Sequence, residues 1–83
     1  MILLIYANDC PDCQRMKSFI DVAITKYEKD IDVKLIDSDT DEAIDVAIKF
    51  GIEDIPGCVI GDTVMYGKKG FTYQSIDNAI KGL

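Results

Sequence analysis

The sequence of 83 residues contains no histidine and only three cysteines. A structural zinc site needs four Cys or His ligands and an iron–sulfur cluster needs four thiolates, so either centre would need ligands from Asp, from a second subunit or from outside the chain. An odd number of cysteines also fits poorly with the even set of a secreted disulfide framework. The cysteine content therefore indicates a reducing compartment.

Basic residues are few, because 9 Lys and Arg stand against 15 Asp and Glu and give a net charge of −6. Nucleic acids and anionic lipid surfaces bind proteins through clustered Lys and Arg. The only basic pair here is Lys68 and Lys69, whereas residues 28–54 hold 10 acids and 3 bases. We therefore expect neither a nucleic-acid partner nor a membrane partner.

Long apolar segments are also absent, since the run over residues 1–7 stops at Asn8 and Asp9 and has no basic residue before it. It is too short for a signal-peptide core or a membrane span. With 48% hydrophobic and 29% charged residues, the composition is that of an ordinary folded protein. We expect a cytoplasmic monomer in which residues 1–83 form a single domain.

The start of the chain predicts a strand followed by a helix. Residues 2–6 form a continuous apolar run of strand length, as in a parallel strand buried on both faces. Pro11 suits the first position of a helix, where its missing N–H would be unpaired anyway. Apolar residues at three- and four-residue spacing predict the buried face of this helix up to about residue 28, namely Met16, Phe19, Ile20, Ala23, Ile24 and Tyr27.

A second strand and a second helix follow. Residues 31–35 alternate apolar with polar side chains, and Ile36 then precedes a polar run. Asp39, with Glu42 three residues later, predicts a capping box, and Gly51 is suited to end the helix. The apolar face predicted for this helix comprises Ala43, Ile44, Ala47, Ile48 and Phe50.

The last third predicts a hairpin and a final helix. Short strands over residues 58–60 and 63–66 flank a turn at residues 61–62. The final helix, capped by Thr72 or Ser75, is expected to bury Ile76, Ala79, Ile80 and Leu83. Because βαβ crossovers are parallel and hairpins antiparallel, this order predicts an α/β fold with a four-stranded mixed sheet and helices on both faces.

The strongest chemical signal is Cys10-Pro11-Asp12-Cys13, at the predicted junction of the first strand and the first helix. Free N–H groups and the positive end of the helix dipole stabilise a thiolate at Cys10. Cys13 lies one turn further on, near enough to close a disulfide. One sulfur can attack and the other resolve, which predicts redox chemistry. The alternatives are a structural disulfide, two unrelated cysteines or half of a zinc site.

With this motif the chain resembles the thioredoxin superfamily over nearly its whole length, and most closely the small glutaredoxin-like members. The CPDC motif is similar to the glutaredoxin CPYC motif, which is followed by basic residues two and four positions later, here Arg15 and Lys17. Ile55-Pro56 resembles the superfamily's cis-proline dipeptide. The resemblance implies the thioredoxin fold, packing of Pro56 against the disulfide and pairing of the Ile55 backbone with a substrate strand.

The chain departs from these relatives at several positions. Leu4 stands where thioredoxins proper usually carry a buried acid, so no buried carboxylate is available to deprotonate Cys13. Residues 68–72 contain one glycine of the pair that is usual in glutathione-dependent glutaredoxins, and residue 54 is Asp where their Thr-Val-Pro begins with Thr. The candidates to contact the carboxylates of glutathione are Lys17, Lys68 and Lys69.

We therefore predict a thiol-disulfide oxidoreductase in which Cys10 attacks a protein disulfide and Cys13 resolves the mixed disulfide. The predicted substrate-binding residues are Pro11, Asp12, Lys17, Ile55 and Pro56. No metal or cofactor is expected, and the electron donor would be a thioredoxin reductase-like enzyme or glutathione. The alternatives are a glutathione-dependent glutaredoxin that acts through Cys10 alone, and a non-enzymatic module that binds a partner or a cluster between two chains.

Two further residues carry hypotheses. Asp12 and Asp9 place negative charge around Cys10 and oppose the helix dipole, so we expect Cys10 to be less acidic, and the protein more reducing, than with a CPYC motif. The alternative is that Asp12 is solvated and has no redox effect. Cys58 is expected to pack in the core as a small apolar residue, the alternative being an auxiliary thiol beside the CxxC site.

Overall fold

The computed structural model describes all 83 residues. Seven elements follow one another in the predicted order. They are β1 (Ile2–Tyr6), α1 (Pro11–Lys26), β2 (Val33–Asp37), α2 (Asp41–Phe50), β3 (Gly57–Ile60), β4 (Thr63–Tyr66) and α3 (Tyr73–Lys81). No helix is long and apolar enough to cross a bilayer.

The four strands form one mixed sheet in the order β2-β1-β3-β4. β1 runs parallel to β2 and antiparallel to β3, and β3 pairs antiparallel with β4. Leu4 therefore lies between Leu35 of β2 and Cys58 of β3. This topology confirms the predicted βαβ unit followed by a hairpin, and it places the carboxyl end of β1, where α1 begins, beside that of β2.

Helices cover both faces of the sheet, as expected from the alternating order of elements. The larger core lies under α1 and α3, where eleven buried side chains form one cluster that includes Leu4, Met16 and Ile80. A smaller cluster on the other face contains Ile5 and Ile36 of the sheet together with Ala43 of α2. The predicted inner face of α1 is confirmed, because its apolar positions are buried or partly buried in the first cluster.

The prediction for the inner face of α2 is wrong at two positions. Ile44 is 54% exposed and Ile48 is 77% exposed. The residues that pack on the sheet are instead Ala43, Val46, Ala47 and Phe50. These follow the spacing i, i+3, i+4 and i+7, so Ile44 and Ile48 lie about 100° further around the helix and face solvent.

The termini of α2 correct one prediction and confirm another. The N-cap is Thr40, whose hydroxyl accepts a hydrogen bond from the Ala43 N–H at 3.2 Å, so the capping box predicted for Asp39 and Glu42 is not formed. At the other end Gly51 has φ +69°, which favours glycine, and the chain turns back into the core. That turn leads directly to the loop before β3.

α3 begins with the predicted cap, since Thr72 and Ser75 form a reciprocal capping box. Ile76 and Ile80 are fully buried and Ala79 partly so, but Leu83 lies beyond the helix and is 45% exposed, contrary to the prediction. α3 also carries a buried carboxylate that the sequence pattern did not reveal. Asp77 accepts hydrogen bonds from the Tyr27 hydroxyl at 2.6 Å and the Lys26 ammonium at 3.0 Å, which joins α3 to the end of α1.

Candidate functional site

The CPDC motif lies where the structure turns from β1 into α1. Cys10 is the N-cap of α1, with extended backbone angles, and Pro11 occupies the first helical turn as predicted. Cys10 and Cys13 form a disulfide with a Cα–Cα distance of 5.2 Å, within the usual range for such bonds. The strand, the cap and the helix together fix both sulfurs at the carboxyl edge of the sheet.

The two cysteines have different surroundings. The Sγ of Cys10 accepts a hydrogen bond from the backbone N–H of Cys13 at 3.1 Å, in the manner of an N-cap oxygen. Cys10 is half-buried, whereas Cys13 is only 3% exposed. Cys10 is therefore the sulfur that a large substrate can reach, and its thiolate is the one that the helix N-terminus stabilises.

Charges flank this pair on the surface. Asp12, in the first turn of α1, lies 3.4 Å from the guanidinium of Arg15, and both side chains are partly exposed. Asp9 immediately precedes the cap and has φ +54°, a left-handed conformation that Asp and Asn adopt more readily than most residues. The site thus combines two acids with one neutralising base.

The Ile55–Pro56 peptide bond is cis, in agreement with the resemblance that predicted it. Pro56 is fully buried, while Ile55 is 37% exposed and its N–H donates to the Asp54 carboxylate at 2.8 Å. The carbonyl of Pro56 accepts a hydrogen bond from the Gly67 N–H at 2.9 Å. The cis-proline loop is therefore attached to the turn between β4 and α3.

Arg15 is a site residue whose contacts were not predicted. Its guanidinium lies 4.5 Å from the centre of the Phe71 ring and donates to the carbonyl of Lys68 at 3.3 Å. It thereby joins the first turns of α1 to the turn that follows β4. In the sequence, only the position of Arg15 two residues after Cys13 indicated a role for it, because Lys68 and Phe71 lie more than fifty residues away in the chain.

The three lysines proposed from the sequence do not lie together. Lys17 donates to Asp21 at 2.8 Å and lines a cavity with Cys13 on the α1 face. Lys68 and Lys69 instead line a groove of about 360 Å³ with Asp54, beside the cis-proline loop. The structure thus separates one basic group behind the disulfide from two beside the loop.

Cys58 lies in β3, opposite Leu4, and is fully buried in the main core. Burial raises the pKa of its thiol to about 12. It is not bonded to another cysteine. These surroundings favour the packing role over the auxiliary thiol, because a neutral, enclosed thiol is a poor nucleophile. No group of three His, Cys, Asp or Glu side chains is arranged to hold a metal ion.

This combination of a CxxC disulfide at a strand-to-helix junction with a cis-proline loop on the same small mixed sheet defines a redox protein of the thioredoxin-like class. The thioredoxin family model matches residues 1–79. The chain therefore belongs to the thioredoxin family.

Solved structures share the fold at low sequence identity. The thioredoxin-like protein BC3987 superimposes with a TM-score of 0.68 at 20% identity, covering 95% of this chain and 99% of that one. NrdH-redoxin from Escherichia coli superimposes with a TM-score of 0.64 at 24% identity, covering 93% of this chain and 91% of that one. Mitochondrial thioredoxin 3 from Saccharomyces cerevisiae superimposes with a TM-score of 0.66 at 24% identity, covering 99% of this chain and 76% of that one. A comparison with curated proteins found no match.

Proposed function

We propose that this protein is a thiol-disulfide oxidoreductase that reduces protein disulfides through Cys10 and Cys13. The observation that carries the proposal is the Cys13 N–H donated to the Sγ of Cys10 at the start of α1. A cysteine in that position is stabilised as a thiolate, the form that attacks disulfides. The buried partner one turn away is suited to close the ring afterwards.

In the proposed reaction, the Cys10 thiolate attacks one sulfur of the substrate disulfide and expels the other as a thiolate. Cys13 loses its proton and attacks the Sγ of Cys10, which releases the second substrate sulfur and forms the Cys10–Cys13 disulfide. Two electrons thus pass from the protein dithiol to the substrate. An external dithiol donor restores the reduced pair.

Substrate would bind across Pro11, Asp12 and the cis-proline loop, pairing in β fashion with the backbone of Ile55. The Ile55 N–H is engaged by the Asp54 carboxylate in the free protein. A substrate strand that takes this N–H must therefore displace the carboxylate. Lys17, which lines the cavity with Cys13, is the proposed substrate contact on the other side of the disulfide.

A thioredoxin reductase-like enzyme is the donor we favour. NrdH-redoxin, which shares the fold, is described as a glutaredoxin-like protein with a thioredoxin-like activity profile. The present chain likewise joins a glutaredoxin-like CPDC motif to membership of the thioredoxin family. We further propose that the protein is a monomer and that its compartment is reducing and cytoplasmic. A reducing compartment is needed because the free dithiol must persist between turnovers.

The test is insulin reduction, run in parallel with a thioredoxin reductase and with glutathione plus its reductase. We expect turnover by the wild type with the reductase, none with Cys10→Ser, and a trapped mixed disulfide with Cys13→Ser. A wild-type rate equal to that of Cys10→Ser under both donors would refute the proposal.

Glutathione-dependent activity is the second candidate, and the groove lined by Asp54, Lys68 and Lys69 favours it. Two ammonium groups and one carboxylate there match the two carboxylates and the amine of glutathione in charge. If this candidate is correct, Cys13→Ser retains deglutathionylation of a mixed disulfide, because that reaction needs only Cys10. Loss of that activity in Cys13→Ser excludes it.

A further inference from the structure

A cavity of about 300 Å³ opens behind the disulfide, between the end of β1, the first turns of α1 and the edge strand β2. Leu4 and Leu35 supply an apolar wall, and Cys13 lines the cavity while Cys10 does not. The volume is enough for several water molecules, since each takes about 30 Å³ in the liquid. Cys13 therefore has its own route to solvent, separate from the surface that presents Cys10.

The proposed reaction needs such a route, because Cys13 must lose a proton before it can attack. The helix N-terminus assists Cys10, whose sulfur accepts the Cys13 N–H, but no hydrogen-bond donor to the sulfur of Cys13 is present. Burial to 3% exposure also disfavours the charged form of a thiol. Leu4, which lines the same cavity, offers no acceptor.

The titratable groups that line the cavity with Cys13 are Tyr6 of β1, Asp9 of the β1–α1 loop and Lys17 of α1. A Lys ammonium has three donors and no acceptor, and a Tyr hydroxyl is a much weaker base than a carboxylate, so neither is suited to take up a proton. Lys17 is moreover bonded to Asp21 at 2.8 Å. Asp9 is the only acidic residue that lines the cavity, and it is exposed to solvent.

We propose that Asp9 accepts the thiol proton of Cys13 when the mixed disulfide is resolved, a role that rests on the oxidoreductase function proposed above. The thiol proton of Cys13 passes across the cavity to the Asp9 carboxylate. The thiolate so formed attacks the Sγ of Cys10, the Cys10–substrate bond breaks, and the substrate leaves as a thiolate. Asp9 then returns its proton to the departing thiolate or to solvent, and charge and electrons balance.

Asp12 provides a comparison of equal charge within the same motif. Asp12 lies two residues after Cys10 and Asp9 lies one residue before it, and both carry a negative charge. Asp12, however, is paired with Arg15 and does not line the cavity. Both acids therefore affect the Cys10 thiolate, whereas only Asp9 is placed to act on Cys13. Asn is a suitable replacement for Asp9, because it keeps the shape and tolerates the φ of +54°.

The experiment mixes reduced protein with one equivalent of dithiobis(nitrobenzoate), which releases a coloured thiolate when Cys10 attacks and a second one when Cys13 resolves. We expect Asp9→Asn to slow the second release by about 100-fold near neutral pH, the lower end of the range typical for loss of a general base. The first release should not slow in Asp9→Asn or Asp12→Asn. The second release should slow less in Asp12→Asn, which removes a nearby charge only, than in Asp9→Asn. Asp45→Asn, at an exposed position of α2, should leave both releases unchanged.

The pH profile separates a proton acceptor from a merely structural residue. In the wild type the second release should vary little over roughly pH 6–8, whereas in Asp9→Asn it should rise about tenfold per pH unit, as direct ionisation requires. Added formate should restore part of the rate in Asp9→Asn alone. The pH profile of the wild type can be measured even if Asp9→Asn is destabilised, so it tests the role of Asp9 by itself.

Two outcomes overturn the inference, and they are distinct from failure of the proposed function. A second release in Asp9→Asn within twofold of both wild type and Asp12→Asn would remove Asp9 from the step. A wild-type second release that itself rises tenfold per pH unit from pH 6 would show that no acceptor assists. If the wild type gives only one release, Cys13 does not resolve and the proposed function fails instead.

Discussion

The Sγ of Cys10 and the backbone N–H of Cys13 are 3.1 Å apart, so the sulfur of the first cysteine caps the helix that carries the second. Any strand-to-helix turn needs a cap, and here the group that satisfies the helix is also the reactive atom. The same bond orders the two cysteines chemically. Cys10 gains charge stabilisation and exposure, while Cys13 remains enclosed.

The first prediction concerns the order in which the three thiols react. When reduced protein is treated with iodoacetamide at neutral pH, Cys10 should be alkylated first, Cys13 more slowly and Cys58 only after denaturation. With its pKa raised to about 12, roughly one Cys58 thiol in 10⁵ is ionised at pH 7. Peptide mapping by mass spectrometry gives the order.

The matched control is Cys58→Ala, which should leave the alkylation of the other two cysteines unchanged and cost about 1 kcal/mol of stability or somewhat more through the lost packing. If Cys58 is alkylated in native protein as fast as Cys13, or appears in a disulfide after oxidation, its assignment to the core is wrong.

The second prediction uses the corrected orientation of α2. Ile48→Ala should change the free energy of unfolding by no more than about 0.5 kcal/mol, because the side chain is 77% exposed. Ile80→Ala removes the same atoms from the fully buried core under α3 and should cost about 2–5 kcal/mol. Urea unfolding of both variants checks this, and equal losses would contradict the orientation.

Much of the fold could be predicted because its signals are local. The apolar run of β1, Pro11 at the helix start and the 3–4 spacing along α1 each depend on neighbouring residues only. The predicted inner face of α2 is wrong because a short helix rich in Ala, Val and Ile has apolar residues on more than one side. Which stripe packs is decided by the sheet beneath it, where Ala43 meets Ile36, and sequence spacing alone does not contain that information.

The candidate site likewise has parts that could be predicted from the sequence and parts that could not. The cysteine pair could be predicted, since motif and junction are adjacent in the sequence. The contact of Arg15 with Phe71 joins residues 56 positions apart, and the cavity that Asp9 and Cys13 both line is completed by Leu35 of β2. At the sequence level Asp9 was visible only as a charge near Cys10. Long-range packing forms the cavity that Asp9 lines together with Cys13.

The third prediction concerns acid unfolding. The Tyr27 hydroxyl and the Lys26 ammonium hold the pKa of Asp77 below its usual value of 3.8. A lowered pKa in the folded state stabilises the fold fully above pH 3.8 and ceases to do so as the pH falls through the folded value. Asp77→Asn should therefore be less stable than wild type near neutral pH, with the difference shrinking at acid pH.

Thermal unfolding at a series of pH values measures this difference. Tyr27→Phe removes one hydrogen bond and should show a smaller loss of the same sign. A stability gap between wild type and Asp77→Asn that stays constant down to the acid transition would contradict the assignment, because it would mean that the carboxylate charge plays no part.

The last prediction returns to the charge beside the nucleophile. Asp12 lies in the first turn of α1, where its carboxylate opposes the Cys10 thiolate and thus destabilises the reduced form. Removing the charge should raise the reduction potential, making the protein less reducing. Arg15 at 3.4 Å neutralises part of that charge, so the effect is small.

We expect Asp12→Tyr and Asp12→Asn each to raise the potential by about 5–20 mV, because an exposed charge at a helix N-terminus contributes about 0.3–1 kcal/mol and 30 mV corresponds to about 1.4 kcal/mol. Arg15→Gln should lower it, and Asp21→Asn, further along α1, should leave it unchanged. Redox titration against glutathione or dithiothreitol measures all four. A wild-type potential equal to or above that of both Asp12 variants shows that Asp12 is only a solvated helix-start residue.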